Sequence, residues 1–249
     1  IPEFKMEKRH LDRRLAQMEA EGVRFRSGVE VGIDITGEDL RNRYDAVVVA
    51  VAATAWRDLP VPGRDLAGVY QAMEYLPLAN KVQQGDLPVS PIDVAGKHVV
   101  IIGGGDTAMD CVRTAIRQGA KPVKCLYRRD RDNRPGSQRE VQNAEEEGVE
   151  FVWLSAPVAF EGVDHVSGVK VVKMRLGQPD ASGRRAPEPE PGSEFTLEAD
   201  LVIKALGYDP EELPKLFGSQ DLSVTRWGTL RVDHKSMMTS VDGVFAAGD

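Results

Sequence analysis

Three consecutive glycines and a nearby alanine form the first group of residues whose types and spacing could do chemistry. Gly103, Gly105 and Ala108 fit the pattern G-x-G-x-x-A, with Gly104 between the first two. The first glycine permits a tight turn, and the second lets the backbone approach a pyrophosphate. The small third residue lets a helix pack on a strand. The pattern therefore predicts a turn that holds the phosphates of a dinucleotide.

The residues just after the glycines would supply backbone donors. Asp106 and Thr107 open the predicted helix, where free N–H groups and the helix dipole favour a bound anion. Asp106 and Asp110 also place two carboxylates near this anion site, and the sequence does not fix their orientation. They could cap the helix, and a glycine-rich turn without a ligand is the alternative interpretation.

A group of arginines follows the next predicted strand. An NAD site needs a carboxylate about 20 residues after the first glycine, where it binds the ribose 2′-hydroxyl. Here the strand ends at Arg128 and Arg129, with Arg131 and Arg134 close behind. Guanidinium groups bind a 2′-phosphate bidentately, whereas a carboxylate would repel it. The arginines favour NADP(H). Because two aspartates interleave with them, a solvated loop of mixed charge is the alternative.

The elements around these motifs alternate between strand and helix. Strands are predicted over residues 97–102, 121–127 and 149–154, with helices over 107–118 and 137–148. Strands separated by helices of this length predict an α/β fold with a parallel, doubly wound sheet. The carboxyl ends of its strands would carry the glycines and the arginines.

Other segments give further predictions. Residues 23–31 resemble a strand, and 44–50 a strand that is buried on both faces because it is continuously apolar. A helix is predicted over 69–82 and antiparallel hairpin strands over 157–176. Residues 179–192 are rich in proline and predict an exposed loop.

Composition excludes several classes of protein. Lys and Arg number 32 against 39 Asp and Glu, for a net charge of −7, so no general nucleic-acid or anionic-membrane surface is expected. The longest apolar run, residues 46–56, is shorter than the ~20 residues that span a bilayer. Cys111 and Cys125 cannot build a disulfide framework, and they favour a reduced, cytoplasmic location.

Hydrolytic and metal chemistry have no support in the sequence. The chain has no G-x-S-x-G motif and no Cys–His arrangement, and its four histidines lie in separate segments without metal-ligand spacing. We therefore predict no catalytic side chain and no metal site.

Six segments together carry a resemblance to a known family. They are residues 1–5, 59–64, 103–117, 127–129, 144–149 and 205–208. In combination they resemble the small (beta) subunits of NADPH-dependent glutamate synthase, through essentially the whole chain. The wider group is the two-lobed flavin reductases related to the disulfide reductases, which include ferredoxin–NADP reductases of similar build.

The resemblance implies a Rossmann-like NADPH-binding lobe inserted in an FAD-binding lobe. In the family, hydride passes from NADPH to FAD, and electrons continue through iron–sulfur clusters to a large subunit that makes glutamate from glutamine and 2-oxoglutarate. Residues 205–207 would lie near the nicotinamide, and residues 248–249 near FAD. The predicted cofactor-binding residues are Gly103, Gly104, Gly105, Asp106, Thr107, Ala108, Arg128, Arg129, Arg134, Ala205, Leu206, Gly207, Gly248 and Asp249.

The same resemblance divides the chain into three parts. Residues 1–96 would be a partial FAD lobe with its connection, 97–205 the NADPH lobe, and 206–249 the truncated return to the FAD lobe. The FAD glycine turn and the cluster region would lie outside this chain, so we expect no turnover from it alone. Ala52 stands where the family commonly carries glycine.

The sequence is also compatible with two other functions. One is a dinucleotide-binding or subunit-docking module without electron transfer of its own, and the other is an enzyme of the ferredoxin–NADP reductase type.

Overall fold

The computed structural model describes residues 1–179 and 185–248. Their helices and strands are, in chain order, α1 (Lys8–Ala20), α2 (Gly37–Arg43), β1 (Val47–Val49), β2 (Ala55–Trp56), β3 (Val69–Gln71), α3 (Ala72–Gln84), β4 (Val99–Ile102), α4 (Asp106–Arg117), β5 (Val123–Leu126), α5 (Gln138–Glu146), β6 (Glu150–Val152), β7 (Ser155–Gly162), β8 (Val166–Pro179), β9 (Arg185–Pro189), β10 (Phe195–Glu198), β11 (Leu201–Lys204), β12 (Tyr208–Asp209), α6 (Leu213–Leu216) and β13 (Val244–Ala246).

The chain forms two compact units. The first unit contains Ile1–His10 and Asp58–Gly207, and the second contains Leu11–Arg57 and Tyr208–Asp249. Residues 58–96 therefore pack with the strands and helices of 97–205. They do so because β3 and α3 complete the sheet and the helical layer of the first unit. The division into FAD-binding and NADPH-binding parts stays a prediction.

A five-stranded parallel sheet forms the centre of the first unit. Its strand order is β3-β11-β4-β5-β6, and every pairing is parallel. The α/β fold with a parallel sheet is thus confirmed. The register pairs Lys204 with Ile102 and Ile102 with Leu126. The carboxyl ends of β11, β4 and β5 therefore meet at one edge.

Both faces of this sheet are covered. Ile101 and Ile203 pack with Met109 and Val112 of α4 in one core cluster, which also contains residues of α3 and α5. On the other face, residues such as Val100 join a second cluster with β7 and β8. Because apolar layers lie on both sides, all four residues of β4 and all four of β11 are buried.

An antiparallel sheet covers the second face. Its order is β10-β8-β7, and β9 pairs with the far end of β8. The antiparallel strands predicted over 157–176 are confirmed. The predicted loop over 179–192 is wrong in part, because Arg185–Pro189 is a strand. This strand pairs only with β8 in the described chain, and an edge strand tolerates prolines. Residues 180–184 of that prediction lie outside the described residues.

The second unit is built from short strands. β1 pairs with β13 in parallel and β2 with β12 antiparallel. A small cluster of Phe217, Leu222, Val241 and Val244 forms its core. One prediction fails here, and another holds only in part because a strand forms within 44–50 but is shorter and more exposed than predicted. Residues 23–31 form no regular strand, and β1 covers only three residues, with Val48 62% exposed. An apolar run is buried on both faces only when other layers cover it.

Candidate functional site

The turn between β4 and α4 requires glycine at its first two positions because of the chain's own packing. Gly103 has φ +150°, and a Cβ there would lie 2.2 Å from the carbonyl oxygen of Ala205. A Cβ on Gly104 would lie 2.5 Å from the ring of Tyr127. Neither distance is tolerable for a real side chain, so both glycines are explained without a ligand.

Gly105 differs from its two neighbours. Its φ of −90° and ψ of −178° are open to any residue, and a Cβ there would meet nothing within 4 Å. The packing of the chain therefore gives no reason for glycine at this position. The space in front of Gly105 is open, at the point where the backbone would have to approach a phosphate.

Helix α4 begins directly behind that space. Ala108 is the first residue of this helix whose backbone N–H forms a helical hydrogen bond, which it donates to the carbonyl oxygen of Gly105 (3.0 Å). The amides of Asp106 and Thr107 precede it, where helices leave donors without internal acceptors. Ala108 is fully buried, and a Cβ added to Gly103 would lie 3.3 Å from the Cβ of Ala108. The third small residue thus brings helix and strand together.

The structure shows where the two carboxylates of α4 point. The Oδ1 atom of Asp106 accepts a hydrogen bond from the backbone N–H of Ser137 (3.2 Å). The carboxylate of Asp110 lies 2.8 Å from the Nζ atom of Lys5. Asp106 therefore holds the start of α5, and the charge of Asp110 is offset by a lysine.

The arginines after β5 fall into two groups. Arg131 donates two hydrogen bonds, of 3.0 and 2.9 Å, to the carboxylate of Glu145, so its charge is already paired on the surface. Arg128 is exposed and has no acidic partner among the residues that the structure describes. The Nε atom of Arg129 is buried without a hydrogen bond. Two cations at the carboxyl end of β5 are therefore open to an added anion.

Arg134 is buried beside the same turn. Its side chain has all three guanidinium nitrogens enclosed and without a partner in the described chain. A Cβ built on Gly136 would lie 2.7 Å from Asp106 Oδ1 and 3.0 Å from Arg134 Nη1, so these two side chains flank one point. The sequence predicted this arginine near a cofactor, and the structure brings it to the N terminus of α4.

The end of β11 lies next to the glycine turn. Ala205 donates its backbone N–H to Ile102 (2.8 Å), and Gly207 has φ +87°. The predicted residues 205–207 are thus adjacent to Gly103.

Sequence reasoning missed Lys204, which is 7% exposed and lies 2.5 Å from Asp58. The hydrogen bond from Lys204 lowers the pKa of Asp58. A lysine at the end of an apolar strand was the available signal.

The predicted FAD residues belong to the second unit. Gly248 has φ +115°, which favours glycine, and a Cβ there would meet nothing within 4 Å. Asp249 lies outside the described residues. Ala52 has φ +55°, so this turn adopts the left-handed conformation that glycine adopts without cost.

The two cysteines are buried and form no disulfide. Burial raises the pKa of the Cys125 thiol to about 12 and raises that of Cys111 well above its usual value. Cys125 donates to the carbonyl oxygen of Gly103 (3.3 Å). Because the thiolate is the reactive form, both cysteines are structural.

A buried charge network between α4 and α5 was also missed. Arg113 is 7% exposed and donates to Glu147 (2.8 and 3.0 Å) and to Glu140 (3.0 Å). Burial acts to raise the pKa of Glu147, but hydrogen bonds from Arg117 and Arg113 lower it overall. The network fixes α5 against α4. The described residues contain no cluster of side chains that could hold a metal ion and no helix long and apolar enough to cross a membrane.

A family model agrees with this arrangement. The model described as pyridine nucleotide-disulphide oxidoreductase matches residues 9–249. The chain belongs to this family. The match includes the glycine turn, the arginines and both units.

Relatives within the family extend the match. The glutamate synthase [NADPH] small chain of Azospirillum brasilense is 54% identical, over the whole chain and 52% of its own length. The putative oxidoreductase AegA of Escherichia coli is 45% identical, over the whole chain and 39% of its own length. The chain thus spans about half the length of the first of these relatives, and the predicted likeness to glutamate synthase small subunits is confirmed.

Solved structures share the fold. Mycobacterium tuberculosis FprA in complex with NADPH aligns with a TM-score of 0.70 and 20% identity, covering 98% of this chain and 66% of that one. Thioredoxin reductase from T. acidophilum aligns with a TM-score of 0.58 and 21% identity, covering 82% of this chain and 57% of that one. At these identities the likeness shows the fold alone.

Proposed function

We propose that this chain is the NADPH-binding portion of a flavin-dependent oxidoreductase of the glutamate synthase small-subunit type. The observation that carries the proposal is Gly105, a glycine that neither its backbone angles nor its neighbours require. A dinucleotide phosphate in the open space would require it. The family match and the 54% identical glutamate synthase small chain support the same conclusion.

The residues of the first unit fit the cofactor. The pyrophosphate would be held by the backbone of residues 103–108, with the amides of Asp106 and Thr107 as donors. The 2′-phosphate would be held by Arg128 and Arg129, which have no carboxylate partner in the described chain. Residues 205–207 would lie near the nicotinamide, because they adjoin the turn.

The chemistry is a redox step that needs positioning and no acid–base side chain. When bound, NADPH supplies a hydride to FAD. Toward FAD, the described part of this chain offers Gly248 and no second glycine turn, so FAD binding would be completed by residues outside this chain. The iron–sulfur clusters would also lie outside it.

The rest of the proposed reaction is what the resemblance to glutamate synthase small subunits implies. Electrons would pass to a large subunit, which makes glutamate from glutamine and 2-oxoglutarate in the cytoplasm. The same segment occurs at 45% identity in the putative oxidoreductase AegA. The shared segment therefore supports the NADPH step more strongly than it supports any one electron acceptor, and a related reductase with another acceptor is the second candidate.

A binding titration tests the proposal. We expect the chain to bind NADPH more tightly than NADH, as measured by calorimetry, and to show no reductase turnover alone. The variant R128Q/R129Q should lose at least tenfold in NADPH affinity and nothing for NADH, because only NADPH carries the 2′-phosphate. R131Q is the matched control, since Arg131 is engaged by Glu145. Equal affinity of the wild-type chain for both dinucleotides would contradict the assignment.

A further inference from the structure

Arg134 carries a buried positive charge that no other described residue neutralises. The residue is 8% exposed, and its Nε, Nη1 and Nη2 atoms are all buried without a hydrogen bond in the described chain. Asp106 is the near carboxylate, but it accepts from the backbone of Ser137 and forms no ion pair with Arg134 within 4 Å. The guanidinium is therefore buried and unpaired.

A second buried arginine in the same unit shows the contrast. Arg113 is 7% exposed, and its guanidinium donates to both Glu140 and Glu147. Buried charges are normally paired in this way, because an uncompensated charge away from water is strongly unfavourable. Arg134 thus lowers the stability of the free chain, and a reason for it has to lie in a bound state.

The position of Arg134 indicates which state that is. It lies in the segment between Arg129, three residues after β5, and Ser137, just before α5. The Arg129 Nε atom is also buried without a partner. The segment is held at its ends by the Asp130–Asn133 hydrogen bonds and by the bond between Asp106 and Ser137. Two arginines with buried, unpartnered guanidinium atoms, Arg129 and Arg134, therefore lie in the segment that follows β5, next to the residues proposed to hold the 2′-phosphate.

We infer that Arg134 is a specificity-determining residue that the free chain keeps enclosed, and that the 2′-phosphate of NADPH draws its guanidinium out to form an ion pair. This inference rests on the proposed function and adds to it a change of conformation. Residues 130–137 rearrange when NADPH binds, and they stay as they are with NADH, which has no phosphate to pair with Arg134. Selectivity then comes in part from a charge that is unpaired until the correct dinucleotide arrives.

The inference gives Arg134 effects of opposite sign on stability and on binding. Methionine has a similar length and no charge, so R134M removes the unpaired cation without leaving a cavity. We expect R134M to unfold at a higher temperature than the wild-type chain. The same variant should bind NADPH about tenfold more weakly and NADH with unchanged affinity. A residue with a purely structural role would lower stability when replaced.

The experiment compares the wild-type 249-residue chain with R134M and with the control R131M. Thermal unfolding is measured without ligand, affinities for NADPH and NADH by calorimetry, and amide hydrogen exchange of residues 130–137 with each dinucleotide. Support requires a raised melting temperature, a selective loss of NADPH affinity, and an exchange change in the wild-type chain with NADPH only. R131M should keep the wild-type selectivity.

Three results would overturn the inference. They are a lowered melting temperature of R134M, an unchanged affinity for NADPH, and an equal loss for both dinucleotides, which would place Arg134 on the pyrophosphate. Failure of the proposed function itself would be visible in the wild-type chain, as no binding of either dinucleotide. Failure of this inference alone would be visible only in R134M or in the exchange data.

Discussion

Replacing Gly105 by alanine separates ligand binding from folding in the glycine turn. Alanine fits the free chain, because φ is −90° and its Cβ would meet nothing within 4 Å. Replacing glycine by alanine lowers the entropy of the unfolded chain, which stabilises the folded protein by about 0.4–1 kcal/mol. Alanine is also a poorer helix N-cap than glycine, which destabilises the protein by a similar amount. The free energy of unfolding should therefore change by less than about 1 kcal/mol.

The cost to binding is larger. The new methyl group would occupy the open space in front of α4, where the phosphates would accept hydrogen bonds from the amides of Asp106 and Thr107. A hydrogen bond to a charged group contributes about 1.5–3 kcal/mol. Since 1.4 kcal/mol is about tenfold in affinity, the loss of one such bond raises the dissociation constant of NADPH at least tenfold.

The assay combines calorimetric titration of NADPH and NADH with thermal unfolding. For a chain of this size, 1 kcal/mol shifts the melting temperature by about 2–4 °C, so G105A should stay within that shift. Both dinucleotides should lose affinity equally, because both carry the pyrophosphate.

G104A is the matched control. Its Cβ would lie 2.5 Å from the Tyr127 ring, and overpacking of this kind costs about 1–3 kcal/mol. G104A should therefore lose stability where G105A does not. Wild-type affinity of a folded G105A protein for NADPH would refute the reasoning that places the phosphates at Gly105.

Three further changes test other parts of the structure. A52G should raise the free energy of unfolding by about 0.5–1 kcal/mol, because Ala52 has φ +55°; urea denaturation measures this, and a loss of stability would contradict it. E147Q should destabilise the protein by about 1.5–3 kcal/mol at neutral pH. The folded-state pKa of Glu147 is lowered, so its contribution is present above the unfolded pKa of about 4.3 and disappears as the pH falls through the folded value. The difference between wild type and E147Q should therefore shrink in acid, and a constant difference would contradict the assignment. Cys111 and Cys125 should react with a thiol reagent only after denaturation, because burial raises the pKa of both thiols; rapid labelling of the native chain would show that they are accessible.

The parallel sheet and the glycine turn could be predicted because their signals are local. The alternation of strand and helix and the spacing of Gly103, Gly105 and Ala108 are visible without tertiary contacts. The reason for Gly104 was not visible, since it depends on the ring of Tyr127 from the next strand. The same holds for Arg134, whose enclosure depends on how residues 128–137 fold back beside Asp106.

The predictions that fail wholly or in part share one physical cause. Residues 23–31 and 44–50 are apolar enough for strands, but a strand needs partners and covering layers. In the described chain β1 pairs only with β13, so Val48 is exposed and 23–31 form no regular strand. The strand over Arg185–Pro189 was missed because its prolines are typical of loops, and only pairing with β8 makes it regular.

The division of the chain into units has a consequence for its synthesis. The first unit is almost entirely one continuous stretch, Asp58–Gly207, whereas the second joins Leu11–Arg57 to Tyr208–Asp249. Val47 pairs with Val244, and at about 5–20 residues per second strand β1 leaves the ribosome roughly 10–40 s before β13. During that time its backbone groups have no native partner and are open to pairing with other chains. The first unit is thus able to fold before the last strand of the second unit has been synthesised.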